Sequence, residues 1–166
     1  MSGYTRIYKY PYKKGYLMNV TVSGNKSKRQ ARTLERAAEY YASLLMSNRT
    51  IQTVHLEISL KKKLDDNVEG YCYFVESSSG YKKFYIELLK NFPIDDLLLS
   101  LAHEVVHLKQ FAIGELKHAS HLKNSYKWQG KFYDEGKIHY YDLPWEIEAH
   151  GRERGLYSRF VEHYNG

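Results

Sequence analysis

Apolar residues recur at the 3.6-residue period of an α-helix in three segments of the chain. In the first segment, Leu34, Ala38 and Tyr41 share one face, while Arg32 lies on the opposite side. A helix of this kind buries its apolar face and leaves its charged face in water. The spacing therefore predicts amphipathic helices over residues 27–46, 95–114 and 144–164.

The ends of the second and third helices carry residues that favour helix boundaries. Asp95 and Asp96 suit the positive end of the second helix, and Gly114 suits the position just past its end. Asp142 is placed to cap the third helix, whose first turn contains Pro144. These boundary residues support the second and third predicted helices independently of the apolar spacing.

Four shorter segments alternate apolar and polar residues, which is typical of β-strands. They are Tyr16–Val22, Thr53–Ser59, Gly70–Glu76 and Lys83–Leu88. In the second strand, the alternation places His55 on the exposed side, so it is not a candidate ligand. Turn residues separate the last three strands, at 61–67 and 77–80. We expect an antiparallel meander packed against the first two helices.

The segment 115–142 has no long apolar period, and its aromatic stretch resembles a hairpin around Gln129 and Gly130. A connection of this length without a core pattern is typical of a functional or mobile loop. Two interpretations stay open: a flap facing the substrate, or a structural hairpin that covers the edge of the core.

Length and composition indicate a soluble protein with one domain spanning residues 1–166. The sequence contains neither a membrane-spanning run nor a secretory signal, so we expect a cytoplasmic protein. Its single cysteine, Cys72, cannot form an internal disulfide and falls at a buried strand position. The net charge of +6 and 17 tyrosines favour at most weak, non-specific nucleic-acid binding, because dispersed lysines usually serve solubility. The oligomeric state is left open.

The second predicted helix contains the sequence His103-Glu104-Val105-Val106-His107. Histidines four residues apart on a helix point the same way and can bind one metal ion, while Glu104 can reach a water on that ion. Asp96, Ser100, His103, His107 and Gln110 form a polar stripe apart from the leucines. Such histidines can also be ordinary surface or core residues. The closely alternating leucines favour the metal, and zinc-assisted hydrolysis is the chemistry indicated.

A third ligand is expected from the last helix. At about 100° per residue, Glu146 lies in the middle of the apolar face, where an unpaired carboxylate would be costly to bury. Glu148 lies about 200° further round and is expected in solvent. Glu146 is therefore the candidate ligand, and Glu153, two turns along the same face, is the candidate hydrogen-bond partner of a ligand histidine.

With His103, Glu104, His107 and Glu146 in place, the chain resembles the zincin metallopeptidases of the gluzincin type, whose third ligand is a glutamate on a later helix. Glu146-Ile147-Glu148-Ala149 fits the pattern Glu-x-x-Ala-Asp of several such families, whereas His150 departs from its last position. Residues 102–110 and 144–149 are also similar to small SprT-like and phage-encoded metallopeptidases. A phage origin would place the protein in the host cytoplasm.

The resemblance implies a minimal zincin-like α+β domain with a small antiparallel or mixed sheet. One Zn²⁺ would be bound, Glu104 would act as general base in hydrolysing a peptide or protein substrate, and the edge strand 83–88 would pair with that substrate. Candidate donors to the oxyanion are Tyr157, His150 and Tyr140. Two alternatives remain: a catalytically silent scaffold that binds nucleic acid or a protein partner, and a metal-dependent hydrolase of a non-peptide substrate.

Overall fold

The computed structural model describes residues 18–24, 26–65, 68–75, 80–119 and 124–165. Four strands form the main sheet: β1 (Asn19–Ser23), β2 (Val54–Lys61), β3 (Gly70–Val75) and β4 (Lys82–Leu89). The helices are α1 (Lys28–Leu45), α2 (Asn48–Ile51), α3 (Ile94–Ala112) and α4 (Pro144–Asn165). Three short strands follow α3, namely β5 (Leu116–His118), β6 (Ser125–Trp128) and β7 (Lys131–Asp134). Two 3₁₀ turns, Glu135–Lys137 and Tyr140–Asp142, lead into α4.

The architecture is α+β, and the main sheet is mixed rather than an antiparallel meander. Its strand order is β1-β2-β4-β3. β2 pairs in parallel with both β1 and β4, whereas β3 is antiparallel to β4 and forms an edge. The expected meander is wrong because alternation tells which face a side chain occupies and not which direction the strand runs. The helix between β1 and β2 provides the crossover that parallel neighbours require.

One face of the sheet carries the core. In β2 the buried residues Val54, Leu56 and Ile58 alternate with more exposed ones, and β4 repeats the pattern with Phe84 and Ile86. Their side chains meet the apolar faces of α1 and α3. His55 lies on the other face, where it is half-buried beside the ring of Tyr81. Cys72 on β3 is also only half-buried, contrary to the expected buried position.

The predicted helices are confirmed, with small shifts at their ends. Ser27 caps α1, since its hydroxyl accepts from the backbone N–H of Gln30 at 3.1 Å. Gly114 follows α3 with a φ of +78°, a left-handed conformation that favours glycine. Asp142, however, lies within the preceding 3₁₀ turn, and Leu143 directly precedes the first residue of α4. The carbonyl of Leu143 accepts the first helical hydrogen bonds.

Helix α4 packs along α3 in the opposite direction, and aromatic residues of α1 fix its far end. The hydroxyl of Tyr41 donates to the Leu98 carbonyl at 3.2 Å, and that of Tyr40 donates to the Arg159 carbonyl at 3.2 Å. Rings of Tyr40, Tyr41 and Phe160 meet edge to face. The start of α4 is consequently held beside the middle of α3.

The segment 115–142 contains the predicted hairpin, with Gln129 and Gly130 at its turn. Leu116, Leu143 and Trp145 form a small second core beneath it. Parts of the predicted strands and turns, at residues 16–17, 66–67 and 76–79, lie outside the described residues. Within the described part of the chain, no helix is both long and apolar enough to cross a membrane.

Candidate metal centre

Two helices bring three donor side chains together at the floor of a cavity. His103 and His107 lie one turn apart on α3, and their Nε2 atoms are 3.1 Å apart. Glu146, in the first turn of α4, places Oε2 at 3.3 Å from Nε2 of His103 and Oε1 at 3.4 Å from Nε2 of His107. All three residues are buried. The three residues that the sequence suggested as ligands therefore form one cluster.

The outer nitrogens of both histidines face hydrogen-bond acceptors, which identifies the tautomers. Nδ1 of His103 lies 2.7 Å from a carboxylate oxygen of Glu153 and must donate to it. Nδ1 of His107 lies 2.9 Å from Oε1 of Gln110. The Gln110 amide nitrogen donates to the Trp145 carbonyl at 2.9 Å and to Glu148 at 3.0 Å, so its oxygen is the end that faces His107. In the neutral form of each histidine, Nε2 therefore carries the lone pair that faces the cluster; in the protonated form, it carries a proton instead.

This arrangement fits a tetrahedral metal ion with N and O ligands. Two lone pairs and a carboxylate repel each other unless a cation lies between them, and Oε2 of Glu146 is buried without a hydrogen-bond partner among the described residues. Zn–N bonds of about 2.0–2.1 Å in a tetrahedron correspond to about 3.3–3.4 Å between donor atoms. The observed separations of 3.1–3.4 Å agree with that geometry.

The electrostatics of the cluster also favour a positive charge there. Burial opposes ionisation of His107, but its hydrogen bond to Glu146 and the nearby carboxylates prevail and raise its pKa to about 9. The pKa of His103 is raised in the same way, against burial, chiefly by Glu146. Burial likewise opposes the charge on Glu146, yet the two neighbouring histidines hold its pKa well below the ordinary value. A cation at this point is stabilised from several sides.

Glu104 lies beside the cluster without being one of its donors. It is buried against β3, where a Cβ added to Gly70 would come within 2.9 Å of its Oε1. Burial raises its pKa, and the two histidines partly offset that shift. A raised pKa brings a carboxylate closer to the range in which it can accept and return a proton near neutral pH.

Three candidate oxyanion donors were suggested by the sequence, and two of them line the cavity. The Tyr140 hydroxyl lies near Glu146, and burial together with that carboxylate raises the pKa of the hydroxyl. His150 has its ring centroid 4.5 Å from that of His103 and its Nδ1 3.3 Å from Glu153. Its Nε2 is buried without a hydrogen-bond partner among the described residues. Both side chains could donate to a bound ligand.

The third candidate, Tyr157, is not among the residues that line the cavity, so the structure does not bring it to the cluster. Its hydroxyl instead interacts with Asp95 at the start of α3, and burial and this hydrogen bond raise its pKa. Tyr157 shares a helical face with Glu146, but eleven residues of helix separate them by about 16 Å. A helical wheel gives direction around the axis and ignores distance along it.

Glu148 is also misplaced by the wheel, because it is not in solvent. It is half-buried and accepts from Lys109 at 2.7 Å, from Gln110 at 3.0 Å and from Arg152 at 2.9 Å. Lys109 is itself buried and also donates to Glu115 at 2.6 Å. This ionic network ties α4 and the start of the segment 115–142 to the back of α3, behind His107.

His103, His150 and Glu153 form a second group of donor atoms close enough to hold a metal. That group would use Nδ1 of His103, which already donates its proton to Glu153. Glu153 is better described as the hydrogen-bond partner that orients both histidines.

The cavity above the cluster has a volume of about 980 Å³. Its walls come from β3, from α3, from the segment 115–142 and from α4. The edge strand beside it is β3, which contributes Gly70, Tyr71 and Cys72, whereas β4 lies between β2 and β3. The expectation that the strand 83–88 is the substrate-facing edge is therefore wrong.

Gln110 and Gly70 have roles that the sequence did not reveal in advance. Gln110 appeared in the polar stripe, three residues after His107, and that spacing could have indicated a bond between them. Nothing in the order of residues could indicate that Gly70 lies against Glu104.

Comparisons with protein-family models, with curated proteins and with solved structures find no match to this chain.

Proposed function

We propose that this protein is a zinc-dependent metallopeptidase of the gluzincin type, with a minimal zincin-like domain. The supporting observation is the convergence of two imidazole lone pairs and one carboxylate on a single point beneath an open cavity. His103, His107 and Glu146 would hold the ion. Three protein ligands with one open position are typical of catalytic zinc sites, whereas structural zinc sites have four.

When bound, zinc would lower the pKa of water to about 7 and polarise a substrate carbonyl. Glu104 takes up the proton that the attacking water loses and passes it to the leaving amine. Its burial suits this role, because the raised pKa lets the carboxylate hold a proton between the two steps. Gly70 leaves the space in which the Glu104 side chain lies.

The other cavity residues orient the ligands and stabilise charge. Glu153 and Gln110 keep both histidines in the tautomer that directs Nε2 inward. Tyr140 and His150 donate to the negative charge that develops on the carbonyl oxygen. The edge strand β3 lies beside the cluster, and we assign it the pairing with an extended peptide. The parallel strands β2 and β4 lie behind it in the same sheet.

The decisive experiment replaces Glu104 with glutamine. Glu104→Gln keeps the side-chain shape and leaves the three zinc donors unchanged, yet the amide cannot accept the proton from water. Zinc content should equal that of the wild-type protein, while metal-dependent cleavage of a peptide library should fall by about 10²- to 10⁴-fold. Mass spectrometry of the digested library and metal analysis of both proteins measure the two quantities.

Glu57→Gln is the matched control, because Glu57 lies exposed on the outer face of the sheet. It should leave cleavage unchanged. If the wild-type protein binds zinc but cleaves no peptide, the metallopeptidase proposal fails and a silent scaffold that binds a partner takes its place. If Glu104→Gln retains full activity, hydrolysis stands but Glu104 is not the base.

A further inference from the structure

The charge of the cavity is opposite to the charge of the protein. The chain carries 25 lysines and arginines and a net charge of +6. Among the described residues that line the cavity there is no lysine or arginine, although six carboxylates do so. These are Glu69, Asp96, Glu104, Glu135, Glu146 and Glu153.

The proposed metal does not neutralise this cavity. A divalent ion offsets the charge of two of the six carboxylates, so the cavity keeps an excess of negative charge around the bound substrate. Two of them, Glu69 and Asp96, are exposed, whereas Glu135 is half-buried in the wall formed by the segment 115–142. In a cleft with low-dielectric walls, charges of one sign attract ligands of the other.

Glu135 differs from the other buried carboxylates because it has no partner in the described part of the chain. Glu146 and Glu153 contact histidines, and Glu104 lies close to the same pair. For Glu135, burial is the largest influence and the charge of Glu146 adds to it, so that its pKa is raised. A half-buried carboxylate on a cavity wall, with no partner among the described residues, can pair with a cationic group of a bound ligand.

The walls near Glu135 are aromatic. Tyr126 is close enough for the charge of Glu135 to raise its pKa, in addition to burial. The rings of Tyr126 and Trp145 lie 5.3 Å apart, and both line the cavity together with Phe111. A carboxylate next to aromatic rings suits a side chain with an apolar stem and a cationic end, because rings attract both the stem and the charge.

We propose that the substrate is a cationic peptide and that Glu135 binds a lysine or arginine side chain of it. This inference rests on the proposed function, since it assigns the substrate of the same cavity. The aliphatic stem of the substrate side chain lies along Tyr126 and Trp145, and its charged end pairs with Glu135. Glu69 and Asp96 attract the peptide at the cavity mouth. A polyphosphate chain is repelled by the same charges, so nucleic acid is not the ligand of this cavity.

The test uses one peptide that the wild-type protein cleaves, synthesised with lysine, arginine, norleucine or glutamate at each position in turn. At one position, kcat/KM should be at least about tenfold higher for lysine or arginine than for norleucine, the ratio that a charge-assisted hydrogen bond supplies. The peptide with glutamate at that position should have the lowest kcat/KM of the series. The KM of the lysine peptide should rise with ionic strength, whereas that of the norleucine peptide should not.

Glu135→Gln should lower the lysine-to-norleucine ratio about tenfold, mainly through KM. Glu57→Gln removes the same charge from the outer face of the sheet and should leave the ratio unchanged. Zinc content and thermal unfolding of both variants establish that the fold and the metal are retained. If Glu135→Gln does not fold, the salt dependence and the peptide series with the wild-type protein still decide the substrate class.

A binding measurement separates this inference from the proposed function. Fluorescence anisotropy with Glu104→Gln should show tighter binding of a labelled lysine-rich peptide than of its glutamate-rich counterpart, and salt should weaken it. Adding Glu135→Gln to that variant should reduce the affinity about tenfold. Cleavage without preference for basic residues overturns the cationic substrate and leaves the peptidase intact. An unchanged preference in Glu135→Gln overturns the assignment to Glu135.

Discussion

At the scale of single residues, Gln110 shows how a neutral side chain can determine the tautomer of a candidate metal ligand. Its amide is completely buried and makes three hydrogen bonds, to His107, to the Trp145 carbonyl and to Glu148. The two bonds from the nitrogen leave only the oxygen for His107. A glutamate at this position would place a second carboxylate against Glu148, so the neutral amide is the group that fits.

Gln110→Met should therefore weaken zinc binding, although Gln110 is not one of the proposed ligands. Methionine keeps the volume but leaves Nδ1 of His107 without an acceptor and removes the bonds to the Trp145 carbonyl and Glu148, which destabilises the fold by on the order of 3 kcal/mol. Zinc affinity should fall by about 10- to 100-fold, as measured by competition with a chromogenic chelator. Gln52→Met, at an exposed position after α2, is the control. Equal affinity in the two variants would contradict the role of Gln110.

The helical wheel of α4 located some of these residues and misplaced others, for identifiable reasons. Glu146 and Glu153 point towards α3 because both lie on the apolar face of the helix, which the sequence alone reveals. Tyr157 lies on that face too, but at the height of Asp95. Glu148 lies off that face, yet Lys109 and Gln110 reach it from α3. A helical-wheel projection shows neither the distance along the helix axis nor the long side chains that reach over from a neighbouring helix.

At the scale of elements, the helices and strands follow from the sequence and their connections do not. Period and end signals located α1, α3, α4 and the four strands of the main sheet to within a few residues. The order β1-β2-β4-β3 depends on pairings between distant segments, which no local pattern records. Strand, helix and strand in succession at β1, α1 and β2 are nevertheless typical of a parallel crossover. That signal was available and pointed away from a meander.

The revised topology makes the contact between β3 and α3 a critical one. Gly70 opens β3, and its missing side chain leaves room for Glu104. In Gly70→Ala the new Cβ would lie 2.9 Å from Oε1 of Glu104 and 3.1 Å from Cδ2 of Leu88, so the carboxylate must move. Cleavage should fall by about 10²-fold, as expected for a catalytic group displaced by about 1 Å. Zinc content should not change, because Glu104 is not a donor.

Gly151→Ala is the control for this substitution. Gly151 lies on the exposed side of α4 with no other atom within 4 Å of an added Cβ. Alanine there should stabilise the helix slightly and leave cleavage unaltered. Wild-type activity in Gly70→Ala would show that the position of Glu104 is not critical, whereas loss of zinc in that variant would indicate wider damage to the site.

At the scale of the whole molecule, charge is distributed unevenly, and the sequence total conceals it. A net charge of +6 suggested weak nucleic-acid binding, because composition cannot tell which surface the lysines occupy. The fold gathers six carboxylates from distant parts of the chain around one cavity. Any residual affinity for nucleic acid must then come from the outer surface, and it should disappear as salt is raised.

The proposed metal would link this charge distribution to the stability of the whole protein. Zinc at 1,000 times its dissociation constant should stabilise the folded state by about 4 kcal/mol, and for a chain of this size that corresponds to roughly 10 °C in Tm. Excess chelator should remove this stabilisation from the wild-type protein and from the control His55→Ala. It should have no effect on the Tm of His107→Ala, which lacks one of the three donors.

The loss of thermal stability on chelation should also depend on pH, because a proton can replace the metal between the donor atoms. Without metal, the pKa of His107 in the folded chain is about 9, above the value of about 6.5 expected in the unfolded chain. A raised pKa contributes stability that is complete below pH 6.5 and is lost as the pH rises through 9. Metal binding, in contrast, strengthens as the histidines lose protons. The difference in Tm with and without chelator should therefore be larger at pH 9 than at pH 6; an equal difference at both values would mean that proton and metal do not compete for His107.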